Sequence, residues 1–199
     1  LLPIYILSDA VAIWLYRKEY SAANLKILIP AGLLGVAIGW STASLFSDKA
    51  VSLLIGMMGV GFCLDRWIRR SSHVQSQSPN KVKGLFWGTI SGFTSFVSHA
   101  GAPPYQIYIL PQRLPKMVFA GTSTILFAIV NLAKVVPYYS LTPLTPDSLK
   151  LSLLLVPIAG LGTIIGRLMI QHLSEEWFYR IVQIALFLIS LKLISTVLF

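Results

Sequence analysis

Few side chains in this sequence can do chemistry inside an apolar segment, and most of them fall between Ser95 and Lys134. The most informative stretch reads Ser98-His99-Ala100-Gly101-Ala102-Pro103-Pro104. Pro103 and Pro104 lack an N–H and clash with a preceding helical turn, yet proline suits the first turn of a new helix. The sequence therefore predicts a helix ending near His99, a broken elbow over 101–104, and a half-helix over about 103–110. Two readings stand side by side. The elbow is an anion site near 101–106, because the N-terminus of a broken helix carries partial positive charge, or it is a re-entrant turn with a purely structural role. His99 can hydrogen-bond an oxyanion or carry a proton. It can equally be a packed histidine bonded to a backbone carbonyl.

Two stripes flank this stretch. Gly84, Gly88, Gly92, Ser95 and His99 recur at helical spacing, which lets another helix approach closely. Gly121, Thr124, Ala128 and Asn131 form a second face, with Lys134 one turn beyond. A lysine at mid-membrane costs about 2.5–3.5 kcal/mol, so Lys134 either serves a site or snorkels to the interface. Asp9 is the acidic residue set well inside an apolar helix, about 12 Å of helix before Arg17. It suits a coupling proton or a salt bridge, with Lys134 as a candidate partner. The substrate-contacting candidates are Ser95, Ser98, His99, Gly101, Pro103, Pro104, Gln106, Thr124, Asn131 and Lys134; the proton-coupling candidates are Asp9 and His99. Gln112 and Arg113 are expected to hold a turn. Ser95 and His99 also permit a rival reading, a membrane-embedded enzyme with nucleophile and base, but no acidic orienter or oxyanion motif accompanies them. No catalytic residue is expected.

The elements that must position these groups follow from composition. Of 199 residues, 55% are hydrophobic and 12% charged, and the mean hydropathy is +0.74. Soluble domains carry about 25% charged residues, so a water-soluble domain and a disordered chain are both excluded. A single cysteine excludes a disulfide scaffold and a multi-cysteine zinc site; no metal and no cofactor is expected. The net charge of +9 would suggest nucleic acid in a soluble chain. Here it predicts cytoplasmic anchoring of membrane loops, and no nucleic-acid partner.

Segments near the length of a bilayer span lie at about 1–16 (cut short at its start), 25–46, 51–68, 84–100, 117–139, 149–171 and 177–199. The fold class is therefore all-α: a polytopic membrane protein with about seven transmembrane helices, eight in a full-length form. A polar linker over 69–83 separates an incomplete first repeat, 1–68, from a second, 84–199. Pro30, Gly35, Gly39 and Ser47 pair with Pro157, Gly162, Gly166 and Ser174 at one constant offset, and Asp9 falls on Asn131. The repeat predicts a counterpart of the elbow segment, about 40 residues, upstream of Leu1, and full-length relatives of about 240 residues. With the linker in the cytoplasm, and the 84–112 segment folded as a hairpin, every basic residue except Lys49, Lys134, Lys150 and Lys192 lies inside. Charge alone hardly separates this hairpin from a full crossing. The hairpin makes the repeats inverted, a frequent plan in alternating-access transporters.

The 98–139 block resembles the second-repeat motif of the TauE/SafE sulfite exporter family, also called the 4-toluene sulfonate uptake permease family. Gly101-Ala102-Pro103-Pro104 stands where that family typically has Gly-Gly-Pro-Pro. Leu110-Pro111-Gln112-Arg113, Gly121-Thr122, Asn131 and Lys134 follow as they do there. The resemblance implies eight spans in two repeats. It also implies a permease for sulfite, an organosulfonate or a related small anion, in the bacterial inner membrane. Ala102 departs from the family glycine and narrows the close backbone approach at the elbow. The expected partners are a small anionic substrate and the lipid bilayer. A non-transporting membrane scaffold or a degenerate fragment is the alternative.

Overall fold

A computed structural model describes residues 2–42, 45, 47–68, 76–141 and 146–198. Its helices are α1 (Leu2–Tyr16), α2 (Ala22–Ser41), α3 (Asp48–Ile68), α4 (Lys81–Ser98), α5 (Ala102–Ile109), α6 (Lys116–Ala133), α7 (Val135–Leu141), α8 (Pro146–His172) and α9 (Glu175–Leu198). A 3-10 turn over Leu110–Gln112 follows α5, and no strand occurs among the described residues. The chain is an all-α polytopic membrane protein. Among the described residues, five spans are long and apolar enough to cross a bilayer: Ala22–Ser41, Asp48–Ile68, Lys116–Ser140, Leu154–His172 and Glu175–Val197. The remaining two of the seven expected helices fall short of that measure. α1 has 15 described residues, and α4 starts with Lys81 and Lys83 and ends in hydroxyl-bearing residues.

Helix starts lie a few residues before the apolar runs, because polar caps set them. The Ser21 side chain accepts from Asn24 N–H ahead of α2, and the Asn80 side chain accepts from Lys83 N–H ahead of α4. The stretch over 117–139, expected as one helix, is interrupted at Lys134. Pro137 is the cause: it has no N–H for the Ala133 carbonyl, and its ring crowds that turn. Of the polar linker, 69–75 lie outside the described residues, and 81–83 already belong to α4.

Packing contacts fix the helix directions. Asp9 meets Asn131, while Tyr16 and Glu19 meet Gly121, so α1 and α6 are antiparallel. Gly56 faces Ile194 and Gly59 faces Ser190, while Cys63 faces Gln183, so α3 and α9 are antiparallel too. α2 and α4 run parallel, with Ile27 beside Gly84, Gly32 beside Gly92 and Gly39 beside Phe96. A Cβ on Gly92 would sit inside the Gly32 carbonyl, which is why two helices of this girth approach backbone to backbone.

The elbow segment is a hairpin. Gly101 packs against Ser91 and Ser95, and Tyr108 against Gly84 near the start of α4. Gln77 N–H donates to Pro111 O at 3.3 Å, and Ser76 Oγ donates to Gln112 O. The polypeptide thus returns to the end from which α4 departs. That end, called here the linker end, also gathers the α1–α2 turn through Glu19–Arg167 and the α8–α9 turn through Lys116, whose Nζ donates to Gln171 O and Leu173 O. The main core lies beneath it, built on Leu28, Tyr105, Ile109, Leu110, Leu126 and Leu186.

Candidate functional site

The break after α4 is built from local chemistry. His99 closes the helix in the left-handed region at φ 52, a conformation that costs a non-glycine residue about 1–2 kcal/mol. Hydrogen bonds compensate. Ala100 N–H reaches back to Thr94 O at 3.2 Å, a Schellman-type closure. Ser91 Oγ donates to Gly101 O at 2.7 Å and Thr94 Oγ1 to Ala100 O at 3.1 Å, so two α4 hydroxyls take up the carbonyls that the break exposes. A Cβ at Gly101 would press on Ser95 Cβ at 2.7 Å, Ser91 O at 2.8 Å and the Phe127 ring at 2.9 Å. Glycine is required there by space.

The half-helix itself offers fewer donors than a helix start usually does. Its first positions are Ala102, Pro103 and Pro104, and the two prolines have no N–H. Both are fully buried. Gly101, Pro103 and Pro104 therefore shape the turn, and the positive charge at the elbow comes from elsewhere.

It comes from Lys134. This side chain is 1% exposed, which removes the snorkelling reading. Its Nζ donates to Ser95 Oγ at 2.6 Å and to Asn131 Oδ1 at 3.3 Å. Asn131 Nδ2 donates to Asp9 Oδ2 at 2.8 Å. No direct Asp9–Lys134 salt bridge forms; the Asn131 amide stands between the two charges. The helical interval from Asn131 to Lys134 puts both on one face of α6, and antiparallel α1 brings Asp9 to them. An ammonium has three N–H donors, so one on Lys134 is uncommitted among the described residues. Ser98 Oγ and Gln106 Oε1 are buried without a partner there. Leaving such groups unpaired costs about 1–3 kcal/mol each.

Asp9 and Thr124 line a cleft of about 390 Å³ together with Ser123, Thr163 and Arg167. The predicted residues thus divide into an elbow group (Ser95, Ser98, His99, Gly101, Pro103, Pro104, Gln106) and a cleft group (Asp9, Thr124). Asn131 and Lys134 join them. His99 is the outlier: its Nε2 lies 3.4 Å from Tyr138 Oη, and its ring stands beside Tyr5 and Tyr138. No hydrogen bond joins it to Ser95 among the described residues, and Ser95 Oγ is engaged by Lys134. Gln112 is spent on the turn: its side chain exchanges hydrogen bonds of 2.8 and 3.1 Å with buried Asn24.

Sequence reasoning missed Ser91 and Thr94, which hold the elbow, and Thr163 and Arg167 of the cleft. Ser91 and Thr94 carry a signal in retrospect, hydroxyls within the last three turns before a predicted break. Arg167 is a charge within an apolar segment. Its guanidinium bonds Glu19 at 2.7 and 3.3 Å and Leu15 O at 2.6 Å, over the Tyr16 ring. It ties α8 to the α1–α2 turn at the linker end of the cleft.

Against known proteins, the family described as Sulfite exporter TauE/SafE matches residues 1–193. The chain belongs to that family. None of the curated proteins and none of the solved structures compared with it matches.

Proposed function

We propose that this member of the TauE/SafE sulfite exporter family, a membrane anion permease by family, moves sulfite or an organosulfonate past Lys134. The observation that carries the proposal is a buried ammonium with one free N–H beside a broken helix. Lys134 supplies the positive charge, and Ser95, Ser98 and Gln106 supply hydrogen-bonding groups for the oxygens of the anion. The tight elbow keeps those groups in place without lending many donors of its own. Asp9 is the coupling carboxylate. It faces the cleft and reaches Lys134 only through Asn131, so a proton on Asp9 and an anion at Lys134 influence each other across one amide. The excess of basic residues at the linker end supports a cytoplasmic linker, and the family supports a bacterial inner membrane.

Counterflow into proteoliposomes tests the substrate class. Liposomes loaded with unlabelled sulfite or an organosulfonate should accumulate the labelled anion, and a chloride-loaded control should not. No accumulation with any sulfur oxyanion would remove the permease reading and leave a non-transporting scaffold.

A second reading rests on the 2.6 Å contact between Ser95 Oγ and Lys134 Nζ: with Lys134 as a neutral amine accepting the hydroxyl proton, that spacing lets it activate Ser95 as a nucleophile. Covalent labelling of Ser95 by a fluorophosphonate would favour an enzyme, and an unlabelled Ser95 counts against one.

A further inference from the structure

A second cationic feature lies away from the elbow, at the linker end, where α3, α9 and the turn after α5 meet. Cys63 Sγ contacts Gln183 O at 3.7 Å, and the Trp67 ring packs on Phe187 with centroids 4.9 Å apart. One helical turn along, this antiparallel pairing sets Arg66 of α3 beside Tyr179 of α9. The Arg113 guanidinium lies over that same tyrosine ring, 5.7 Å from its centroid. Arg113 is aimed there by its own backbone, which takes φ 48 after the Leu110–Gln112 turn.

Arg113 thus covers the Tyr179 ring while the Arg66 guanidinium lies over the Phe62 ring, 6.0 Å from its centroid, and the two like charges act on one another. Nη2 of Arg66 is buried and has no hydrogen-bond partner. Neither arginine enters an ion pair among the described residues. The Tyr179 hydroxyl is spent on Leu114 O. Glu175, the acid one turn from Tyr179, is occupied by the Lys116 amide at 3.1 and 3.2 Å. Like charges drawn together, with a buried donor left unmet, are unfavourable unless an anion completes them.

We infer that Arg66 and Arg113 hold an oxyanion of the phosphate type between α3 and the turn after α5, at the linker end. Planar guanidinium forks match the oxygens of such a group, singly or in pairs. The ligand is either the phosphodiester of an anionic phospholipid or a free tetrahedral anion. The site is separate from Lys134 and does not depend on the transport reading.

Two arms distinguish the sources. In nanodiscs of phosphatidylcholine alone, inorganic phosphate is titrated onto the protein by equilibrium dialysis. In nanodiscs containing phosphatidylglycerol, lipid retention is counted by native mass spectrometry. One-to-one binding in either arm is expected, weakened about tenfold or more by R66Q and by R113N and partly kept by R66K. Asn is chosen at 113 because it tolerates a positive φ. Arg113 is exposed, so R113N carries the test even if R66Q fails to fold. Binding in the first arm assigns a free anion, and binding in the second alone assigns a headgroup. Absence of one-to-one binding in both arms, or binding indifferent to R113N, overturns the inference.

Discussion

At the scale of single residues, one amide, that of Asn131, stands between two charges. Asp9 and Lys134 were legible in the sequence because a charge in an apolar segment is expensive and stands out. Their connection was not, since it depends on α1 and α6 lying antiparallel with Asn131 in register. The repeat alignment paired Asp9 with Asn131 as counterparts, and the structure shows them as hydrogen-bonded neighbours. N131A leaves Asp9 Oδ2 and Lys134 Nζ each short of a hydrogen bond to a charged group, worth about 1.5–3 kcal/mol apiece. It should destabilise the fold by about 3–6 kcal/mol in reversible unfolding in detergent. D9N keeps an acceptor for Asn131 and removes the charge. Transport by D9N should continue with its dependence on a pH gradient lost; an unchanged dependence would remove Asp9 from coupling.

At the scale of elements, the helices were legible to within a few residues from hydropathy. The offsets came from caps such as Ser21 and Asn80, and from Pro137 breaking α6 at Lys134. The elbow was placed correctly from Gly101, Pro103 and Pro104, but the half-helix was expected to present more donors than Pro103 and Pro104 allow. His99 shows how a backbone role can hide in a chemically suggestive residue. H99G should relieve the left-handed strain and raise stability by about 1 kcal/mol. If His99 serves only as a cap, H99G retains the wild-type pH profile of transport; a lost pH response would restore its proton-carrying role. The glycine stripes make a paired prediction. G92A drives a methyl into the Gly32 carbonyl and should cost 1–3 kcal/mol or more, about the price of overpacking. Gly162 has open space around it in this 199-residue chain, so G162A there should be neutral or stabilising by up to about 1 kcal/mol. Melting temperatures of the two variants side by side check this.

At the scale of the whole molecule, we keep the inverted repeat read from proline and glycine offsets as a proposal, and the packing supports it. Exchanging α1 with α6, α2 with α8 and α3 with α9 maps the α1–α6 and α3–α9 contacts onto themselves, and α1–α8 onto α2–α6. The helices of each antiparallel pair run in opposite directions, as inverted repeats require. Charge counting had hardly separated a hairpin from a crossing. The Gln77–Pro111 and Ser76–Gln112 bonds separate them, because only spatial contact reports where a chain of this hydropathy turns back. In a C63A background, cysteines at Lys18, Ser78 and Ser174 should react with an impermeant maleimide from one face of the membrane, and a cysteine at Ser47 from the other. The most direct test of the central claim is the flux of labelled sulfite in proteoliposomes carrying wild-type protein or K134M, with both shown to be folded by circular dichroism and gel filtration. An anion that passes Lys134 predicts a fall of at least about a hundredfold in K134M, the scale on which removing one buried electrostatic contact acts. Undiminished flux in a folded K134M protein would contradict it.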